Sequence, residues 1–315
     1  MEFTILITTY NRLSLLRRAV ESALAQSWPC EVIVADDCST DGTADYLAPL
    51  ARDGRLRHLR SPSNLGQCNA VNVGVEVAYG DWVKLLADDD YLAPTCLAEM
   101  SQAIELHPSA VLCSVQATEV DINGRALRRT PTIGPGRAFY VRQEDIHYAM
   151  LLEALPFGTP VQVAFRRDAF LRSGGWDESF ENAGDDADSW TRIAQFGDAV
   201  FINQPLSYYT AWSGSYNRAL RIEHRFRQNM RVKTKLHGLV DLRHRQGLPS
   251  LSQVDRYMRL HWGLIALRER DLRTASKLGY AAAWSPKAWQ LLFNAQRFRR
   301  GDFEAVPVKR SVLIS

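Results

Sequence analysis

Short apolar runs alternate with segments of helical periodicity over the first 120 residues. The strand-length runs cover residues 3–8, 31–35, 56–59, 82–86 and 110–115. Between them, apolar residues recur every three or four positions in segments that start near Leu13, Thr43, Gly66 and Pro94. Strands that alternate with amphipathic helices indicate an α/β fold with a mostly parallel, doubly wound sheet.

One of these helices is predicted over 66–79. Its spacing places Ala70, Val73, Val77 and Ala78 on one apolar side, and Gly80 ends it. After residue 120 the pattern becomes irregular, with a hairpin-type turn predicted at Asn123-Gly124.

Three of the predicted strands end in polar residues. The strand 82–86 leads to Asp88-Asp89-Asp90, the strand 31–35 to Asp36-Asp37, and the first strand to the turn 9–12. Adjacent carboxylates repel one another, so a positive partner is expected, and a hard divalent cation suits oxygen ligands. Open α/β sheets bind ligands at the carboxyl ends of their strands. A solvated acidic turn is the alternative for the triplet alone.

Five segments, in this order along the chain, resemble family 2 glycosyltransferases of the GT-A fold. They are ITTYNR, VIVADDCSTDGT, SNLGQCNAVNVGVEVAYGDWVKLLADDD, GGWDE and AGDDADSWTRIAQFG. The resemblance implies a GT-A domain over 1–215, with a nucleotide-binding half at about 1–115 and an acceptor half at about 116–215. It also implies transfer of a sugar from a nucleotide-diphosphate sugar, with inversion at the anomeric carbon.

The resemblance assigns a donor site to the strand ends. Thr8, Tyr10 and Asp37 match the positions that hold the nucleobase, with Tyr10 stacking on the ring and Asp37 accepting a pyrimidine imide N–H. A UDP-sugar is therefore favoured. Asp88 faces the ribose and Arg12 approaches the phosphates. Asp36 is instead expected to accept backbone N–H groups of the next turn.

The resemblance also places Mg²⁺ or Mn²⁺ at the acidic triplet, where it stabilises the departing diphosphate. Asp89, five residues before Pro94, is the expected metal ligand. Asp90 is either a second or water-mediated ligand or a helix-entry or surface carboxylate. Two positions depart from the family pattern: Val71 replaces an Arg that contacts phosphate, leaving that contact missing or supplied by Arg12 or Arg60, and Trp212 stands where a His is common.

An inverting transferase needs one carboxylate that takes the proton of the acceptor hydroxyl. The resemblance puts Asp186 in this position, with Asp185 as second choice and Asp188 as a support for the helix. Gly175, Trp176 and Asp177 correspond to a loop beside the donor sugar and acceptor. The Trp176 ring either stacks on a sugar face or packs on the core.

Composition argues against several classes of partner and of location. The net charge of +3 over 315 residues is too small to indicate nucleic acid. The five cysteines form no CxxC pair and are expected to be core thiols in a reducing compartment. No run is long enough to cross a bilayer, and no basic leader precedes the first strand, so a cytoplasmic protein is expected.

Residues 216–315 are predicted to form a helical extension, with helical segments at 218–235 and 254–277 and breaks at Pro249 and Pro286. A packed set of helices with a solvated basic face is the simplest interpretation. The alternative is that basic faces, including Arg297, Arg299 and Arg300 near Phe298, touch the inner face of an anionic membrane that carries lipid-linked acceptors.

The sequence thus predicts an inverting glycosyltransferase that uses a glycan or lipid-linked glycan acceptor. The alternative function is a degenerate nucleotide-sugar-binding or scaffold protein without transferase activity. Asp89 and Asp186 favour the enzyme, whereas Val71 and Trp212 leave the alternative open.

Overall fold

A computed structural model describes residues 1–180, 183–212, 214, 220–300, 302, 306 and 308–315 of the chain. Its strands are β1 Phe3–Thr9, β2 Cys30–Asp36, β3 Arg57–Arg60, β4 Trp82–Ala87, β5 Tyr91–Leu92, β6 Ala110–Val120, β7 Ala126–Arg129, β8 Ala138–Val141, β9 Val163–Arg166, β10 Asp198–Thr210 and β11 Ser311–Ile314. Its α-helices are α1 Leu13–Leu24, α2 Thr43–Arg52, α3 Gln67–Val77, α4 Cys96–Glu105, α5 Gln143–Leu151, α6 Arg167–Arg172, α7 Asp185–Ile193, α8 Ile222–Leu239, α9 Leu251–Arg268, α10 Leu272–Ala282 and α11 Pro286–Arg299.

The strands form one mixed sheet with the order β11-β8-β10-β6-β9-β4-β1-β2-β3. Strands β3, β2, β1 and β4 are parallel, as the alternating pattern predicts, and β10 is parallel to β6. Between β4 and β6 lies β9, which is antiparallel to both and comes from much later in the chain. The α/β prediction is confirmed, while this inserted strand was not predicted. The carboxyl ends of β1, β2 and β4 meet at one edge of the sheet.

Helix α3 packs against the parallel strands through a face that includes the predicted Ala70 and Ala78, with Val77 packed beside it, but not Val73. Its buried residues are Cys68, Ala70, Val71, Gly74 and Val75. A Cβ at Gly74 would lie only 2.4 Å from the Leu6 side chain, so glycine permits the close approach of helix and strand. Val73 is exposed, and its predicted place on the apolar side is wrong, because the buried stripe follows Ala70, Gly74 and their neighbours one residue later.

The carboxyl-terminal helices pack into a core of their own, with Tyr257, Met258 and Trp262 of α9 buried in it. The predicted helix 218–235 is observed as α8, Ile222–Leu239, and its predicted start lies outside the described residues, as does the domain boundary predicted after residue 215. The segment 254–277 is two helices rather than one, since the chain turns at Arg270 with a φ of 62°. Pro286 begins α11, where a missing N–H costs nothing.

The extension does not end as a set of helices. Strand β11 pairs antiparallel with β8 and so returns the chain to the main sheet. Phe298, Val306 and Val308 belong to the same core as the sheet residues. The last hundred residues are therefore tied to the GT-A-like part by shared core and shared sheet. None of the described helices is long and apolar enough to cross a bilayer.

Candidate active site

An open pocket of about 370 Å³ lies at the carboxyl ends of β1, β2 and β4. It is lined by all five residues predicted to bind the donor, namely Thr8, Tyr10, Arg12, Asp37 and Asp88. The start of α3 completes the wall with Gly66 and Gln67. We call this cavity the strand-end pocket. Its position at a change of strand order is where open α/β sheets bind ligands.

The turn after β1 is held rigidly against the loop after β2. Asn11 has a left-handed φ of 51°, its N–H donates to Ser39 Oγ at 2.9 Å, and its Oδ1 accepts the Thr40 N–H at 2.7 Å. Leu13 N–H donates to Asp41 Oδ2 at 2.8 Å. These bonds leave the Tyr10 ring exposed at the pocket, where a planar ligand can stack on it.

The two carboxylates after β2 have different roles. Asp36 is fully buried, accepts the Ser39 N–H at 2.8 Å and lies 3.3 Å from Arg60 Nη1, so the expected structural role is confirmed. Arg60 is thereby held away from a phosphate role. Asp37 accepts the N–H groups of Leu65 and Gly66 at 2.8 and 2.7 Å. A carboxylate offers about four acceptor sites, so Asp37 keeps capacity toward the pocket.

Asp88 lies on the pocket wall between two donors. Its Oδ2 accepts the Thr9 hydroxyl at 2.8 Å, and its Oδ1 is 3.2 Å from Arg12 Nη1. Burial raises the pKa of Asp88 to about 6, and the neighbouring Asp89 charge adds to the increase. Arg12 opposes this increase because its positive charge stabilises the carboxylate. Arg12 is thus the counter-ion of the triplet in the free protein.

Asp89 lies at the rim, with a donor on one oxygen. Trp212 Nε1 donates to Asp89 Oδ2 at 2.9 Å, and Arg12 Nη1 is 3.5 Å from the same oxygen. Asp89 Oδ1 accepts no hydrogen bond from the described part of the chain. The Arg12 guanidinium also lies 5.3 Å from the Trp212 ring centroid. Trp212 therefore donates a hydrogen bond to Asp89, at the position where a histidine would supply an additional metal ligand.

Asp90 is turned away from the strand-end pocket. It is almost fully buried, and its Oδ1 accepts the N–H of Thr210, at the end of β10, at 2.8 Å. Burial first, and then the Asp89 charge, raise the pKa of Asp90 well above its usual range. The prediction that Asp90 is a second metal ligand is not supported, because its carboxyl group joins the β4–β5 turn to β10. The alternative, a helix-entry or surface carboxylate, does not fit either, because Asp90 is buried and α4 begins only at Cys96.

The donor set suits a divalent cation that is shared with a substrate. Within the described ranges, no group of three or more His, Cys, Asp or Glu side chains could hold a metal by itself. Asp89 offers one hard oxygen at the rim, and Mg²⁺ is commonly bound by one or two carboxylates together with phosphate oxygens and water. The residues therefore fit a cation completed by the nucleotide, and no fully protein-built cage.

The acidic pair at the start of α7 contacts the start of α3. Cys68 Sγ, one residue after the pocket-lining Gln67, is 3.4 Å from Asp185 Oδ2 and donates to it. Asp185 is buried, and burial raises its pKa. Asp186 is half-buried, and burial together with the Asp185 charge raises its pKa to about 7. A carboxyl group with such a pKa can accept a proton near neutral pH.

Asp188 supports α7, as predicted. It is fully buried between Arg192 Nε at 2.7 Å and Lys235 Nζ at 2.6 Å. Lys235 is in α8, so the Asp188 carboxylate fixes α7 to the carboxyl-terminal extension.

The loop 174–178 is anchored to α3. Asn72 Oδ1 accepts the Trp176 N–H at 2.8 Å, and Asn72 Nδ2 donates to the Trp176 carbonyl at 3.1 Å. Gly175 has a φ of 72°, and a Cβ there would lie 2.6 Å from Asn72 Oδ1. The Trp176 ring is only 3% exposed, so packing on the core, and not stacking on a sugar, is what the structure supports. Asp177 lies 3.7 Å from Lys235.

Sequence reasoning missed several residues that hold the site together. Cys68 and Asn72 are in the segment that carries the resemblance, but nothing in their spacing signals contacts with residues 104 or more positions away. Arg18 donates to the Asp89 carbonyl at 2.9 Å and to Thr210 Oγ1 at 2.8 Å. The only signal for Arg18 in the sequence was its position on α1, about one helical turn after the polar turn that follows β1.

Part of the chain is similar to a succinoglycan biosynthesis protein. The succinoglycan biosynthesis protein ExoO of Rhizobium meliloti is 34% identical over 128 residues, which is 40% of this chain and 36% of ExoO. The chain thus matches little more than a third of the length of that relative.

Two solved structures share the fold. Staphylococcus aureus TarS 1–349 in complex with UDP-GlcNAc has a TM-score of 0.64 at 20% identity, over 98% of this chain and 82% of that one. The mannosyltransferase PcManGT of Pyrobaculum calidifontis, in complex with GDP-Man and Mn²⁺, has a TM-score of 0.58 at 20% identity, over 96% and 83%. Identities this low establish the fold and leave the substrates of this chain to other arguments.

The model of the family "Glycosyl transferase family 2" matches residues 4–174, which is more than half of the chain. This range contains β1 to β4, the strand-end pocket and the acidic triplet. The chain belongs to the family "Glycosyl transferase family 2" and has the GT-A fold.

Proposed function

We propose that the chain transfers a sugar from a UDP-sugar to a glycan or lipid-linked glycan acceptor, with inversion of the anomeric carbon. One observation carries the proposal: a single helix, α3, joins the two halves of the chemistry. Its first residues line the strand-end pocket, and Cys68 in its first turn contacts Asp185, which directly precedes Asp186. A donor in the pocket would therefore have a titratable carboxylate close to its reacting end.

The donor is proposed to lie with its base between Tyr10 and Asp37. Tyr10 offers an exposed ring face, and Asp37 is a buried carboxylate with acceptor capacity left toward the pocket. A uracil ring has an imide N–H that such an acceptor can bind. The carbonyl groups of uracil would repel the Asp37 carboxylate, so the N–H is the group proposed to face it. Asp88 is placed to accept a ribose hydroxyl, and Arg12 to meet the phosphates.

A divalent cation, Mg²⁺ or Mn²⁺, is proposed to bind at Asp89 together with the donor phosphates. When bound, it would neutralise charge on the departing diphosphate. Arg12 supplies a second positive charge at the same edge of the pocket, close to both Asp88 and Asp89. The TarS and PcManGT complexes support a nucleotide sugar in this fold, and the PcManGT complex also supports the metal.

Asp186 is the proposed base. The acceptor oxygen attacks the anomeric carbon as its proton moves to the Asp186 carboxylate, and the bond from that carbon to the phosphate oxygen breaks. The electron pair leaves with the nucleoside diphosphate, so a single displacement inverts the configuration. Asp185 holds Asp186 from the preceding position, since its Oδ1 accepts the Asp186 N–H at 3.1 Å. The reaction is proposed to take place at the cytoplasmic face of a membrane when the acceptor is lipid-linked.

The proposal is tested by ligand binding followed by product analysis. Thermal shift with UDP, GDP and ADP, each with and without Mn²⁺, should show the largest stabilisation with UDP and metal. The UDP-sugar that stabilises most is then incubated with a panel of glycan acceptors, and the product is analysed by NMR. Equal stabilisation by ADP and UDP would overturn the base assignment. A product that retains the anomeric configuration would overturn the single displacement.

A further inference from the structure

Several exposed aromatic side chains lie at the corner where α10 turns into α11. Four large aromatic side chains within fourteen residues are exposed here: Tyr280 by 73%, Trp284 by 80%, Trp289 by 45% and Phe293 by 61%. Tyr280 is near the end of α10 and Trp284 lies in the turn that follows, whereas Trp289 and Phe293 are one helical turn apart in α11. We call these four residues the aromatic corner. Such large apolar exposure at one place indicates a binding surface.

The corner is built rigidly. Trp289 Nε1 donates to the carbonyl of Ala283 at 2.8 Å, which fixes its ring at the turn beside Trp284. Ser285 caps α11 by accepting the Ala288 N–H. Helices α9 and α10 touch through glycines, because a Cβ at Gly263 would lie 2.8 Å from Gly279 Cα. The aromatic residues thus stand on a close-packed helical hairpin.

The sequence of α10 and α11 carries charge of one sign. Residues 272–300 contain six basic side chains and no Asp or Glu. Arg297 and Arg299, which sequence reasoning placed on a basic face, are paired with Asp302 and Glu153, and Phe298 between them is buried. Arg273 and Lys287 form no ion pair with an acidic residue in the described part of the chain. Free positive charge is therefore found beside the aromatic corner and less at the end of α11.

A basic hollow adjoins Trp284. This open depression of about 480 Å³ is lined by Trp284, Arg256, Arg259 and Lys277. Asp255 is also in its wall, where it pairs with Arg259 at 2.7 Å. Lys277 pairs with Glu223 at 2.8 Å, whereas Arg256 forms no ion pair with an acidic residue in the described ranges. The hollow therefore joins a large apolar ring to one guanidinium that is available for a phosphate group.

We propose that the aromatic corner and the basic hollow bind the surface of an anionic phospholipid bilayer. Tryptophan and tyrosine prefer the level of lipid headgroups, and flanking Lys and Arg are attracted by anionic lipid. A second copy of the chain is a poorer occupant, because it would bring two predominantly basic surfaces together. The inference deepens the proposed function only where the acceptor is lipid-linked, and vesicle binding requires neither donor nor acceptor.

The test is co-sedimentation of the full chain with vesicles of phosphatidylcholine, with and without phosphatidylglycerol. We expect binding to the anionic vesicles, weakened at least about tenfold by Arg273→Glu with Lys287→Glu, since each basic residue near the surface contributes about 1 kcal/mol. Trp284→Ala with Trp289→Ala should weaken it at least as much. Leu242→Ala removes another exposed apolar side chain outside the corner and should leave binding unchanged.

Folding and assembly are followed in the same variants. Circular dichroism melting and UDP binding should match the unchanged chain, which separates lost lipid contact from unfolding or from a failure of the proposed transferase site. Equal binding to neutral and anionic vesicles would overturn the proposal, and so would full binding by the double tryptophan variant. A dimer without lipid that dissociates in that variant would assign the corner to self-association and overturn it as well.

Discussion

Asp186→Asn tests the proposed mechanism most directly. The amide has nearly the shape of the carboxyl group but cannot take the acceptor proton, so transfer should fall by about 10²–10⁴-fold at pH 8. UDP binding should remain, because the strand-end pocket is formed by residues of β1, β2, β4 and the start of α3. The measurement is kcat/KM for transfer, with calorimetry of UDP binding as the control.

The raised pKa of Asp186 makes the size of this loss depend on pH. With a pKa of about 7, the wild-type base is about nine-tenths ionised at pH 8 and about one-hundredth ionised at pH 5. The wild-type rate should therefore rise about a hundredfold from pH 5 to pH 8. The rate of the Asn variant should not depend on this ionisation. The ratio of the two rates should shrink toward pH 5 by the same factor.

Two further results separate a base from a structural carboxylate. Asp185→Asn removes a charge that raises the pKa of Asp186, so the rising limb of its pH profile should move to lower pH. Because the folded state raises the Asp186 pKa, its stabilising contribution is present at low pH and is lost as pH rises through about 7. The Asn variant should then melt higher than the wild type above pH 7. A pH-independent activity loss, or near-normal turnover in the variant, would refute the assignment.

Four other substitutions examine the donor side. Asp89→Ala should abolish Mn²⁺-dependent transfer, and wild-type activity of this variant in EDTA would contradict the metal site. Asp90→Ala should instead lower the melting temperature, because the Thr210 N–H loses its acceptor. Asp37→Ala should weaken UDP binding in calorimetry more than GDP binding, and equal losses would argue against base recognition. Trp212→His should tighten Mn²⁺ binding in the presence of UDP, relative to a Trp212→Phe control that only removes the donor to Asp89; equal affinities would show that this position lies out of reach of the cation.

Local pattern was sufficient to predict the parallel strands and the clustering of polar groups at their ends. Strand length, period and end position are local properties, and the rule that parallel strands end at one edge does the rest. The burial of Asp90 was not predictable in this way, because its partner Thr210 is brought to it by β10, 120 residues later. Trp176 is a similar case, since Asn72 of α3 decides that its loop packs inward. Long-range contacts of this kind leave no periodic trace in the sequence.

The two departures from the family pattern are connected through Arg12. Val71, in place of a phosphate-binding arginine, is buried in the core, and Trp212, in place of a histidine, binds Asp89 through its N–H. Arg12 is the sole cation among the described residues that line the strand-end pocket, and it lies within 3.5 Å of Asp88 and Asp89 and against the Trp212 ring. A diphosphate entering the pocket would compete with these carboxylates for Arg12. Release of Asp89 from the guanidinium would in turn favour a divalent cation there, so nucleotide and metal should bind cooperatively.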